Sequence, residues 1–318
     1  MILFIMKALH SWLLTEGAHG MISQVEGLAE ALNTTFDHKK VKLPFYSNFL
    51  PPIVTPKNKV FFNFKELTRN IANIPDFIIS CGRKSVIPNI VLKKFFENNY
   101  NKKVQNIHIQ DPKISSKFFS FVITPEHDNP VNGNNVLLSK GALHYLKEEE
   151  VRNTNLKNEN IISLILGGPN QYYNFFFKDI ENVFNNLIEL NNINKINVVA
   201  SRRTPPYLFE KLKSVFNNKK FHYDSSLEKK NYTKSLSEAS HVLVTCDSTS
   251  MISEAAITGK PIYVIKLKSI KNDYRFQRFF KLFKDLGIIR FFEGSIDNWT
   301  YEKLYETKRI SKSIMENI

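Results

Sequence analysis

The chain has 318 residues, 42% hydrophobic and 23% charged, enough for one large domain or for two of about 150 residues each. Its net charge of +14 and pI near 9.5 favour anionic partners such as phosphorylated ligands, acidic lipids or nucleic acid, although a compositional bias toward Lys and Asn accounts for the charge equally well. No stretch reaches the about 18 uninterrupted apolar residues of a membrane-spanning helix, and Cys81 and Cys246 match no metal or disulfide spacing, which sets aside structural zinc and fits a reducing compartment.

The opening "MILFIMKALHSWLL" lacks the basic n-region and small-residue cleavage site of a signal peptide and reads as a buried first strand, at about 9–15. A glycine turn, "TEGAHG", follows directly. Gly17 and Gly20 permit close approach of a ligand at a helix start, or serve only the turn; His19 is the one residue there able to move a proton near neutral pH, or is a surface side chain. Ile22, Val25, Leu28, Ala29 and Leu32 then recur at helical spacing. Further strands are expected at 77–81, 104–109, 121–124 and 136–139, with a helix over 86–97. "ITPEHDNP" sets Glu126, His127 and Asp128 at a strand end; three consecutive residues do not converge on one metal ion, so ligand contact or loop packing is expected. "IQDP", with Gln110 and Asp111, is a similar strand-end turn.

Residues 147–160, "KEEEVRNTNLKNEN", are polar and without apolar period, which predicts a linker. The pattern restarts at "IISLILGGP", where Gly167 and Gly168 leave room for a phosphate or base, and continues with a helix over 175–190. Strands are expected at 196–200, 219–223, 241–245 and 261–266. "SRRTPP" places Ser201, Arg202 and Arg203 at a strand's carboxyl edge, as diphosphate ligands or as a solvated pair. "HVLVTCDSTSMISEAAITGKPIYVIK" ends a strand before a helix that Ser248 or Ser250 caps. Glu254 lies one turn on, positioned to accept hydrogen bonds from ribose hydroxyls. In "KNDYRFQRFFKLFKDLG", Phe276, Phe279, Phe280 and Phe283 share one side of a helix flanked by basic residues, which suits a core helix or one resting on an acidic membrane.

Alternation of strands and helices in two tandem halves predicts an α/β protein of two Rossmann-like domains, with parallel sheets facing a central cleft and ligands at the strands' carboxyl ends. The expected divisions are 1–150, 160–295 and 296–318. GxGxxG is absent, which argues against an NAD site and a short-chain epimerase. No compact basic-aromatic motif of a nucleic-acid reader occurs, so no nucleic-acid partner is expected.

The ordered set "LLTEGAHGMISQVEGLAEAL", "PDFIISCGRKSV", "IHIQDP", "VITPEHD", "LLSKGALH", "LILGGPN", "SRRTP" and "VTCDSTSMISEAAITGKPIYV" resembles the mitochondrial fission ELM1 family over about residues 11–266. The order Gly-Ala-His-Gly departs from the family's usual first loop, which has Gly or Pro before Gly-His. The resemblance implies a glycosyltransferase-B-like fold, with nucleotide sugar on the second domain (160–295), acceptor on the first (1–150), and a terminal helix, 296–318, packing back on the first domain. On that footing Gly167, Gly168, Ser201, Arg202, Arg203, Ser248, Ser250 and Glu254 are expected to hold a nucleoside-diphosphate sugar. His19 is the expected base, with Gly17, Gly20, Glu126 and His127 on the acceptor side. The reaction expected is metal-independent and cofactor-free sugar transfer to a cell-envelope or lipid-linked acceptor. A non-catalytic adaptor at a membrane surface and a sugar-nucleotide epimerase are the alternatives. With the first strand so near the start, a cytoplasmic location is expected, with peripheral contact at an anionic inner membrane.

Overall fold

Strand β1 (His10–Thr15) shows why the chain builds layers: Leu13 is buried on one side of its sheet, while Trp12 and Leu14 are buried on the other. A strand with apolar residues on both faces needs helices on both faces, which is the condition of a parallel sheet. The computed structural model describes residues 8–47, 49–130, 133–157 and 159–318; the first seven residues of the opening apolar run lie outside it, as does Asn158 of the expected linker.

The first compact unit comprises residues up to Tyr145 together with Glu306–Ile318. Its strands are β1, β2 (Thr35–Lys40), β3 (Phe77–Cys81), β4 (Gln105–Ile109), β5 (Phe121–Pro125) and β6 (Val136–Ser139), all parallel, in the order β2-β1-β3-β4-β5-β6. Its helices are α1 (His19–Ala31), the short α2 (Phe64–Leu67), α3 (Val86–Tyr100) and α9 (Glu306–Met315). Val25 and Leu28 of α1 and Ile310 and Ile314 of α9 cover one sheet face; Leu92 and Phe96 of α3 cover the other.

The second unit is Leu146–Tyr305. It contains β7 (Ile161–Leu166), β8 (Lys195–Ala200), β9 (Phe221–Asp224), β10 (His241–Thr245), β11 (Ile262–Ile265) and β12 (Ile289–Phe291). The helices are α4 (Phe177–Glu189), α5 (Pro206–Val215), α6 (Lys229–Glu238), α7 (Thr249–Ala256) and α8 (Tyr274–Asp285). The order β9-β8-β7-β10-β11-β12, again all parallel, is the 3-2-1-4-5-6 arrangement of a dinucleotide-binding sheet, with its reversal point between β7 and β10.

Two expectations change. Residues 147–157 are packed against the second unit rather than free: Val151 is buried, Glu150 pairs with Lys229 of α6 at 2.8 Å, and Thr154 N donates to Ser237 O at 3.2 Å. The aromatic face of α8 belongs to the core, because Phe276, Phe279, Phe280 and Phe283 are all buried. Withdrawing four such rings from that core would forfeit about 2 kcal/mol each, more than loosely held surface lysines return, so this helix does not offer its apolar side to a membrane.

Candidate functional site

In the second unit, three loops meet at the carboxyl edge around the β7/β10 reversal point. Asp247, immediately after β10, joins them. Its side chain is fully enclosed; Arg203 Nη2 donates to Oδ2 at 2.6 Å and Gly168 N donates to the same oxygen at 3.1 Å. Arg203 Nη1 donates in turn to Gly168 O at 3.1 Å, and Asn170 Nδ2 donates to Asp247 O at 2.9 Å. Burial pushes the Asp247 carboxyl above its ordinary range, and Arg203 is the chief opposing influence.

The two glycines serve this joint. A Cβ on Gly167 would lie 2.2 Å from the Asp247 carboxylate oxygens, and one on Gly168 would lie 1.9 Å from Arg203 O. Their N–H groups are taken as well, by Thr245 Oγ1 at 2.8 Å and by Asp247. The room expected there for a phosphate is therefore filled by the protein's own loops. Ser201 is likewise engaged inside its turn: its N–H reaches Thr204 Oγ1 at 2.8 Å, and its hydroxyl accepts from Arg203 N at 3.3 Å.

The arginine pair splits into two roles. Arg203 is committed to Asp247 and Gly168, whereas Arg202 is exposed and has no ion pair or hydrogen bond among the described residues. Next to this turn in the sheet order, Ser248 caps α7 by accepting from Met251 N at 3.4 Å. The N–H groups of Thr249 and Ser250 in the first turn have no intrahelical acceptor, as helix geometry requires. The Ser250 hydroxyl is partly exposed and also without a partner among the described residues. Glu254, one turn further along the same face, is partly buried, and its Oε2 accepts from Tyr232 Oη of α6 at 3.0 Å. Desolvation pushes the Glu254 carboxyl up to about 7, with the Tyr232 hydrogen bond pulling the other way. Cys246, beside Asp247, is buried with its thiol pushed up to about 12, which keeps it from acting as a nucleophile.

In the first unit the corresponding edge lies between β1 and β3. Gly17 has φ +97°, a conformation that excludes ordinary side chains at the turn, and its N–H reaches Thr15 Oγ1 at 3.2 Å. Glu16 pairs with Lys84 at 2.7 Å, tying the loop after β1 to the loop after β3. His19 is the first residue of α1, whose N-cap, Ala18, supplies no side-chain acceptor. Gly20, next to it, is exposed.

The His19 ring is oriented by Tyr145: Nε2 and Tyr145 Oη are 3.2 Å apart, and the rings meet edge to face with centroids 5.8 Å apart. Tyr145 is held in place by its surroundings. Its N–H donates to Ser23 Oγ at 3.4 Å, and Gly27 lets α1 approach the backbone so closely that a Cβ would lie 2.3 Å from His144 O. Helix α9 fastens the same segment, with Thr307 Oγ1 bonded to both His144 N and His144 O at 3.0 Å and the buried Glu306 accepting from Lys140 N at 2.7 Å.

Glu126 and His127 occupy a short turn after β5. Glu126 is partly exposed, but His127 is buried, its Nε2 3.7 Å from Asp128 Oδ1. The His127 ring is thus enclosed within this turn. Among the described residues no group of three or more His, Cys, Asp or Glu side chains is arranged to hold a metal ion, and no helix is long and apolar enough to cross a membrane. Residue-by-residue reading missed Asp247 as the joint, and Tyr145 and Tyr232 as partners. "GGP" held a usable signal, since paired glycines demand that something come close.

A sequence model of the family described as "Mitochondrial fission ELM1" matches residues 19–318. An uncharacterized protein of Rickettsia prowazekii (strain Madrid E) is 24% identical over 355 aligned residues, covering 95% of this chain and 97% of that protein. The "Mitochondrial fission protein ELM1" of Arabidopsis thaliana is 24% identical over 279 residues, covering 77% of this chain and 64% of the plant protein, which is less than two thirds of its length. Among solved structures, MurG from Acinetobacter baumannii superposes with a TM-score of 0.52 at 11% identity, covering 97% of this chain and 91% of that one. UDP-GlcNAc 2-epimerase from Neisseria meningitidis, bound to UDP-GlcNAc, superposes with a TM-score of 0.54 at 12% identity, covering 98% and 99%. At these identities the likeness is one of fold, and the fold is of the glycosyltransferase-B type.

Proposed function

The chain belongs to the mitochondrial fission ELM1 family, and from that premise and the geometry of its two sheet edges we propose that it transfers a sugar from a nucleoside-diphosphate donor to a cell-envelope or lipid-linked acceptor. The second unit holds the donor. Its diphosphate takes the free N–H groups of the first turn of α7, the Ser250 hydroxyl and the Arg202 guanidinium, while Glu254 accepts from the ribose hydroxyls. Gly167, Gly168, Arg203 and Asp247 form the wall that fixes these donors in place.

Departure of the nucleoside diphosphate concentrates negative charge on the leaving oxygen. A helix N-terminus and an arginine at the same sheet edge stabilise it, so the chain itself supplies the positive charge and the reaction needs no metal. On the first unit, His19 removes the acceptor hydroxyl's proton, with Tyr145 fixing the ring. The observation that carries this reading is the division of labour at the β7/β10 edge: Arg203 neutralises the buried Asp247, which leaves Arg202 and the start of α7 as uncommitted donors at the place where such sheets take nucleotides.

Donor binding and turnover test it separately. Glu254→Ala should abolish sugar-nucleotide binding in calorimetry, and His19→Ala should leave binding intact while removing turnover. Turnover retained by His19→Ala overturns the base assignment alone; binding retained by Glu254→Ala overturns the ribose assignment. A second reading, epimerisation of the sugar while it is still on the nucleotide, is favoured by the likeness to the Neisseria meningitidis epimerase. It predicts a changed sugar nucleotide with no acceptor present, seen by proton NMR. Absence of binding to any sugar nucleotide would favour a non-catalytic adaptor instead.

A further inference from the structure

We propose that the loop between β2 and α2, in the first unit, is a docking surface for an anionic lipid bilayer. Among the described residues it presents the densest group of exposed large apolar side chains: Phe45, Phe49 and Ile53 are 82%, 76% and 70% exposed, and Tyr46, Val54 and Val60 are each more than half exposed. Scattered apolar residues on a surface carry no message, but a contiguous cluster does. The cluster is also ordered from beneath. Arg83 Nη1 donates to Leu50 O at 3.2 Å, Tyr46 Oη to Val60 O at 3.1 Å, and Thr55 Oγ1 to Pro51 O at 2.9 Å, while Phe45 and Phe49 meet edge to face. These rings therefore point outward from an anchored loop.

Charge decides what covers them. Between Asp37 and Glu66 the sequence contains no acidic residue and six lysines. Lys57, Lys59 and Lys65 are exposed and have no acidic partner among the described residues. Outward aromatic rings flanked by lysines without acidic partners match a bilayer surface, which offers hydrocarbon below and anionic headgroups around it. A second copy of the chain fits poorly, since a two-fold contact would set this lysine-rich patch against itself. The loop leaves β2 at the carboxyl edge and is held by Arg83, which follows β3 at that edge, so it neighbours the Glu16–Lys84 bridge beside the His19 turn. A bilayer bound here brings headgroups to the acceptor side of the first unit.

Flotation of the full chain with vesicles tests this without turnover, so it stands or falls apart from sugar transfer. Vesicles of phosphatidylcholine mixed with phosphatidylglycerol should carry the protein, pure phosphatidylcholine vesicles should carry far less, and added salt should weaken binding. Phe45→Ser with Phe49→Ser, and separately Lys57→Glu with Lys59→Glu, should each reduce binding at least about tenfold. Both pairs are exposed, and unchanged circular dichroism establishes that the variants fold. Lys281→Glu with Lys284→Glu on α8 should bind as the parent does. Failure of the parent to bind anionic vesicles, full binding by the Phe45/Phe49 variant, or a dimer in light scattering that this variant dissociates would each overturn the proposal.

Discussion

Replacing Arg203 by Met removes the guanidinium that neutralises Asp247 while keeping much of the aliphatic stem. At about 4 Å between charge centres and an effective dielectric of about 20, the lost attraction is about 4 kcal/mol. The Arg203 side chain is 38% exposed, and water screens it; halving the figure gives about 2 kcal/mol. The cost must depend on pH. The Asp247 carboxyl is already raised in the folded protein, and loss of Arg203, the main influence holding it down, raises it further. A group raised on folding contributes stability that is complete below its unfolded pKa, about 3.9, and is lost as pH rises through the folded value. The penalty of Arg203→Met should therefore be smallest at about pH 4 and grow toward about 2 kcal/mol as pH rises through the folded value of Asp247. Hydrogen exchange of the β7 and β10 amides reads the opening free energy of this unit alone, which matters because a chain of two compact units need not unfold in one step. The Arg203→Met, Asp247→Asn double variant should cost less than the sum of the two single changes. A penalty independent of pH, or strict additivity, would refute the assigned ion-pair joint.

Two further outcomes follow from the same edge. Gly168→Ala places a methyl group 1.9 Å from backbone that cannot step aside, so thermal unfolding should show a loss of about 1–3 kcal/mol; an unchanged Tm would mean the loops are not held together as described. If Glu254 accepts from the ribose as a carboxylate, sugar-nucleotide affinity should rise as pH increases through about 7, and Glu254→Gln should flatten that profile; the same midpoint in the variant would assign the titration elsewhere.

Much of this architecture is written in apolar runs. Strands such as β7 and β10 are buried on both faces, so their sequences are continuous and unmistakable, and Ser248 followed by a helical face marks the start of α7. Strand β2, "TFDHKK", escaped notice because it lies at a sheet edge and carries mostly polar residues, and β12 is only three residues long. Arg202 and Arg203 are indistinguishable by type; only the position of Asp247 across the edge makes one structural and the other free. The glycine pair was legible as a demand for space, but the occupant, a carboxylate 79 residues away for Gly168, depends on strand order. Amphipathicity likewise could not separate a core face from a membrane face in α8, because both need the same periodicity; burial separates them.

The central claim is that the second unit holds a nucleotide sugar, and ligand-induced stabilisation tests it most directly. A panel of UDP, GDP, CDP and ADP, each with its sugar conjugates, should include at least one that stabilises the chain by about 2.7 kcal/mol at a hundred times its Kd. Arg202→Ala should weaken that effect without altering the melting of the free protein. No stabilisation by any member of the panel, or full stabilisation of the Arg202→Ala variant, would contradict the account.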